Sequence, residues 1–185
     1  KALQDKLASL DNTNSAVAEQ LQMALQSAGY KRPATPAEWR NAVREGGDAE
    51  SGRRVFLGIQ TGCTTCHQSQ GRGTSIGPEL TNVARSLDRA KLTDAILDPS
   101  REVAPQFEHH IVETKAGVTH SGVLVHIGLD GSPLINALGL GRQRIPVAQV
   151  VRHSTSPLSM MPAGLENTMT VHDLRDLLAY LLTLK

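Results

Sequence analysis

The chain has 185 residues, room for one domain with an appendage or two small ones at about 100 to 200 residues per domain, and this excludes a large multi-domain enzyme. Lys and Arg total 19 against 18 Asp and Glu, a formal charge of +1, so there is no strong field to gather nucleic acid or an anionic membrane. Aromatics are only 3% of the residues, and since such side chains usually supply much of a core's buried area, a non-protein group is expected to share the centre.

Lys1 in place of an initiator Met, with no signal pattern after it, reads as a processed form or an excised fragment. Residues 1–10 place Leu3, Leu7 and Leu10 at helical spacing, and 15–28 repeat this with Val17, Leu21, Leu25 and Ala28; the pair is similar to the end of a helical repeat array. Thr35-Pro36-Ala37-Glu38 supplies a cap hydroxyl, a first-turn proline and an N3 glutamate, so a helix carrying Trp39 and Val43 is expected up to Gly46-Gly47. Asp48 caps the next helix, with Gly52, Val55, Phe56 and Ile59 on one side, expected to run until Gly62. Gly71, Gly73, Gly77 and Pro78 mark a loop, and a helix from Asp88 to Leu97 lines up Ala90, Leu92, Ala95 and Ile96 before Asp98-Pro99.

From Phe107 the period changes to two. Ile111-Val112, Val118 to Ile127, Leu134 to Leu138 and Ile145 to Val151 read as short strands, with turns at Ala116-Gly117 and Asp130-Gly131. Residues 106–155 are thus expected to form a β module inserted in a helical chain. Thr170 with Asp173 caps a final apolar helix through Val171, Leu174, Leu177, Leu178 and Leu181. The apolar stretch Leu177 to Leu184 falls far short of the roughly 20 residues that span a bilayer, so a soluble chain without a membrane span is expected.

Only two cysteines occur, Cys63 and Cys66, with His67 directly after. This CxxCH spacing suits two thioethers to haem vinyl groups and an imidazole ligand to iron. A thioredoxin-like pair lacks its βαβ context, and a zinc site lacks a second cysteine pair. For the sixth iron position Met161 is the favoured ligand, held by Pro162 ahead of the last helix; Met160 is the neighbouring choice, while Met23 and Met169 read as packing residues.

CTTCH at 63–67, Gly77-Pro78, and Met161-Pro162 before a final helix bearing Leu177, Tyr180 and Leu181 resemble class I cytochrome c over residues 48–105 and 156–185. Gly77-Pro78-Glu79-Leu80-Thr81, Ala95-Ile96-Leu97-Asp98-Pro99-Ser100, Ala104-Pro105-Gln106-Phe107-Glu108 and Ser159-Met160-Met161-Pro162-Ala163-Gly164-Leu165 resemble, more narrowly, a planctomycete-type haem-binding domain, often C-terminal to a sugar-dehydrogenase-like propeller or helical repeats. The resemblance implies that Gly52 and Phe56 cross Leu177, Tyr180 and Leu181, and that the Pro78 carbonyl orients His67. It implies an α+β chain: an N-terminal helical segment (1–46), a cytochrome c domain (47–105 and 156–185) and the inserted β module (106–155).

His109, His110, His120, His126 and His153 invite a metal-site reading, with His110, His120 and His126 on one face if the strands pair about Ala116-Gly117; strand histidines are more often solvent-facing or hydrogen-bonded. His172 reads as a surface residue. Arg72, Arg85 and Arg89 are candidate propionate partners or solvated charges, and Trp39 is expected to anchor the N-terminal helices on the core. The expected function is one-electron transfer, not bond chemistry. One haem c is held covalently by Cys63 and Cys66 with His67 and Met161 as axial ligands, and takes electrons from a periplasmic dehydrogenase, separate or fused. The alternatives are a haem sensor or peroxidase-like enzyme with an open or displaceable sixth ligand, and a docking or carbohydrate-binding role for the β module. Haem attachment outside the cytoplasm implies a periplasmic or otherwise exported chain.

Overall fold

A computed structural model describes residues 32–185; the helices expected within 1–28 lie outside the described residues. Thr35–Lys185 form one compact unit, with a helical core and a smaller core within a sheet. Helix α1 (Pro36–Ala42) opens with a reciprocal cap: the Thr35 hydroxyl accepts the Glu38 N–H, and the Glu38 carboxylate accepts the Thr35 N–H. It stops short of Gly46-Gly47 because Val43, fully buried, already leaves helical geometry at φ −106° and ψ 12°. The glycines instead reverse the chain at φ +83° and +100°, a region that costs glycine little.

Helix α2 (Ala49–Leu57) begins where the Asp48 carboxylate accepts the Ser51 N–H at 2.7 Å. It crosses helix α5 (Val171–Leu181) at Gly52, where an added Cβ would lie 1.8 Å from the Asp176 carbonyl oxygen. Beside the crossing, the Phe56 and Tyr180 rings are 5.6 Å apart, tilted by 47°. Asp176, only 2% exposed, accepts the Asp48 N–H at 2.7 Å, tying the start of α2 to the middle of α5. The expected continuation of α2 to Gly62 does not form. The Thr61 hydroxyl donates to the carbonyls of Val55 (2.6 Å) and Gly58 (3.1 Å), satisfying groups that a helix end leaves open and folding the chain back. Ile59, expected on the buried side, is therefore 98% exposed.

The four-residue helix α3 (Cys63–Cys66) leads into a ribbon of β1 (Gln68–Ser69) and β2 (Arg72–Gly73) within the loop expected to be irregular. Helix α4 (Arg89–Leu97) is capped by Asp88, which accepts the Lys91 N–H at 2.9 Å. Its buried face is Leu92, Thr93, Ile96 and Leu97, whereas Ala90 and Ala95, expected in the apolar stripe, are exposed. Thr93 can enter that face because its hydroxyl donates to the Arg89 carbonyl at 2.8 Å. Helix α5 opens with the expected Thr170–Asp173 capping box and buries Leu174, Leu177, Leu178 and Leu181 with Trp39 and Phe56 in the helical core.

Strands β3 (His109–Thr114), β4 (Thr119–Ile127), β5 (Pro133–Ala137) and β6 (Gly141–Arg144) form an antiparallel meander, and β7 (Val150–Ser156) returns beside β3, giving the order β6-β5-β4-β3-β7. The strand expected over Ile145 to Val151 does not form: β6 has already ended at Arg144, and Ile145-Pro146 lead into a 3-10 turn at Val147–Gln149 before β7 starts at Val150. Pro146, which has no N–H for a ladder, separates the two strands, and the polar Gly141–Arg144 strand lacked an apolar period to reveal it. Val112, Ile135 and Ile145 form the small core. The register shifts between Leu124 and His126, so His126 lies opposite Leu134 and turns to the face away from His110 and His120. The expected three-histidine face is thereby broken; His110 instead meets His153, Nδ1 to Nε2, at 3.0 Å.

Candidate haem site

Gly62, at φ +64°, starts α3, whose single turn sets Cys63 and Cys66 three residues apart on one side. The His67 N–H donates to the Cys63 carbonyl at 2.9 Å and closes that turn. Both thiols are unpaired and half-buried. Burial pushes both up, and the Thr61 hydroxyl draws Cys63 partly back, so both are protonated S–H groups near neutrality.

The His67 ring presents Nδ1 to the Pro78 carbonyl at 2.8 Å. A carbonyl only accepts, so Nδ1 carries the proton and Nε2 keeps its lone pair. Burial lowers the imidazole pKa against the opposing pull of that carbonyl, which favours the neutral, ligating form. The loop bringing Pro78 to the ring is stitched to α3: Thr74 N–H donates to the Thr64 carbonyl (3.0 Å), and Ile76 and Gly77 N–H donate to the Cys66 carbonyl (3.1 and 2.7 Å). An added Cβ at Gly77 would lie 2.9 Å from His67 Cε1 and 3.1 Å from Nδ1. Only a residue without a side chain lets the loop pass this close to the ring.

Met161 is half-buried and packs against the same helical core as Cys63. Its N–H donates to Ser159 Oγ at 3.1 Å, and the Ser159 N–H donates to Ser100 Oγ at 3.1 Å, so the methionine loop is tied to the end of the α4 segment. Met160 is half-buried and is not among the side chains packed on that core. Met169, 4% exposed, lies within the core as a packing residue, and Met23 lies outside the described residues. Two protonated thiols on one turn, a neutral imidazole with Nε2 available and a thioether beside the same core form a donor set that fits haem c.

Arg89 donates to the carbonyls of Val43 (3.1 Å) and Gly46 (2.7 Å), so this propionate candidate is committed to holding the α1–α2 connection. Arg72 and Arg85 are exposed. Trp39 is 3% exposed and belongs to the helical core. His172 is exposed at the surface, with Nε2 3.4 Å from Asp176 Oδ2. Among the described residues no three His, Cys, Asp or Glu side chains are grouped to hold a metal ion. Two supporting residues escaped the sequence reading: Thr61, a polar residue among glycines, and Asp176, a lone acid interrupting an apolar helix face. The second carries a legible signal, since a charge in such a stripe calls for a partner.

Residues 49–121 match the family model for cytochrome c. The matched stretch contains the attachment motif and Pro78, and it reaches past the helices into β4. No curated protein matches the chain. The match is to the family over that stretch, and within it Cys63 and Cys66 fit the family's haem-attachment motif. Among the described residues no helix is long and apolar enough to cross a membrane.

Proposed function

We propose that this cytochrome c domain is a one-electron carrier whose single haem c is attached through Cys63 and Cys66 and ligated by His67 and Met161. When bound, haem iron supplies a one-electron couple. The observation that carries the reading is the His67–Pro78 contact at 2.8 Å, which fixes the imidazole tautomer and aims Nε2 away from the loop. Met161 is preferred to Met160 because Met161 alone of the two packs against the core shared with Cys63. Were His67 and Met161 both to hold the haem iron, a substrate would have to displace one of them to reach it, so the chain would pass electrons rather than perform bond chemistry.

The donor is proposed to be a dehydrogenase, fused or separate, in the periplasm or another exported compartment, where thioether attachment takes place. The planctomycete-type resemblance and the β insertion belong to this proposal. The visible spectrum of both redox states tests the ligation. The weak red charge-transfer band of ferric His/Met haem, with no carbon monoxide adduct on reduction, is the expected result. A high-spin spectrum with ready adduct formation would instead favour the sensor or peroxidase-like alternative.

A further inference from the structure

We infer that the face of the sheet opposite its small core holds the haem loop in place, with Asn136 on β5 as a positioning residue for His67; this rests on the haem reading above. Asn136 Nδ2 donates to the Ser75 carbonyl at 3.1 Å, across 61 residues of sequence, and this is a contact between the sheet and the loop that carries Pro78. Ile76, next in that loop, is 7% exposed, and Val123, opposite Asn136 in the strand register, is also 7% exposed. Neither belongs to the helical core or to the small sheet core.

The loop is gripped from two sides. Thr74, Ile76 and Gly77 donate their N–H groups to α3 carbonyls, and Asn136 holds the Ser75 carbonyl from the sheet. Pro78 is three residues beyond Ser75, and its carbonyl is the acceptor that fixes the His67 ring. Loss of the Asn136 amide donor frees the Ser75 side of the loop, so the His67–Pro78 hydrogen bond opens more often. Imidazole that donates a firm Nδ1–H bond is the more basic ligand and favours ferric iron. A weaker bond consequently raises the reduction potential.

The test uses the haem-loaded protein with Asn136→Ala and Asn136→Asp, the latter similar in shape but without the amide donor, and with Gln143→Ala as control, since Gln143 Nε2 reaches only the nearby Leu140 carbonyl at 2.8 Å. Two quantities are read: solvent exchange of the His67 Nδ1 proton by NMR, and the reduction potential. Both Asn136 variants should exchange that proton about fivefold faster, the factor that a net hydrogen bond of roughly 1 kcal/mol represents, and should shift the potential upward. Gln143→Ala should move neither. Wild-type exchange and potential in both Asn136 variants, with haem attached and His67 ligated, would overturn the role of Asn136. Failure of the wild-type chain to hold haem would instead overturn the haem reading.

Discussion

Replacing Gly52 by alanine should cost a large part of the stability of the Thr35–Lys185 unit. The added Cβ would fall 1.8 Å from the Asp176 carbonyl oxygen and 2.3 Å from its carbon, both backbone atoms, where ordinary contact begins at 3.4 Å. Rotamer changes cannot relieve this, so α2 and α5 must separate by about 1.6 Å, the shortfall to ordinary contact. Phe56, Leu174, Leu177, Leu178, Tyr180 and Leu181 are all at most 7% exposed at or beside that crossing. Burial contributes about 1.5 to 3 kcal/mol for each such side chain, and a gap of 0.5 to 1 Å forfeits roughly a quarter to a half of the contact energy. Even the smaller loss, a quarter of six side chains at about 2 kcal/mol each, is about 3 kcal/mol as a lower bound, against a total of about 5 to 15 kcal/mol for ordinary domains. The corresponding fall in Tm is about 10 °C for a unit of this size. Thermal and denaturant unfolding followed by circular dichroism measure it. A Tm within about 2 °C of wild type would refute the backbone-to-backbone approach at Gly52.

Gly77→Ala should rotate the His67 ring off the Pro78 carbonyl, because the new Cβ would stand 2.9 Å from Cε1; altered low-spin haem spectra check this, with little change expected in the β-sheet signal. Met161→Ala should abolish the red charge-transfer band, lower the reduction potential and open iron to carbon monoxide, since the thioether favours ferrous iron, while Met160→Ala should leave all three nearly unchanged. A larger effect at Met160 would move the ligand by one residue. The His110 imidazole lies below its ordinary 6.5 because of burial first and the neighbouring His153 and His109 next, with Glu108 opposing. The unfolded chain therefore binds a proton at His110 more readily than the folded chain, and its contribution to stability falls as pH drops through 6.5 toward the depressed folded value. Unfolding midpoints measured from pH 7.5 to 5 should decline less steeply in His110→Gln.

Local chemistry made several elements readable in advance. Caps at Thr35, Asp48 and Thr170 name the starts of three helices, because each side-chain oxygen satisfies a donor that the helix itself cannot. Helix ends were less legible. Gly58 directly follows Leu57 and caps α2, but the apolar spacing that continues to Ile59 hid this stop, which Thr61 fixes by reaching back to Val55 and Gly58. The break between β6 and β7 turns on Pro146, whose apolar neighbours Ile145 and Val147 disguised it as mid-strand. At the site, the thiol spacing and His67 were plain from CTTCH. The Asn136 contact with Ser75 joins residues far apart in the chain, and no periodicity encodes it. That contact also bears on the reading of 106–155 as a self-sufficient insert, since the sheet reaches the loop carrying Pro78.

Covalent attachment of haem at Cys63 and Cys66 is tested most directly by acid-acetone extraction of the protein, matured by the thioether-forming machinery, followed by intact mass of the denatured chain. Thioethers survive denaturation whereas iron–ligand bonds do not. The colour should stay with the protein, and the mass should exceed that of the bare chain by one haem, with no such increment in the Cys63→Ala, Cys66→Ala double variant. Haem released into the acetone phase, leaving a chain of unmodified mass, would contradict the assignment.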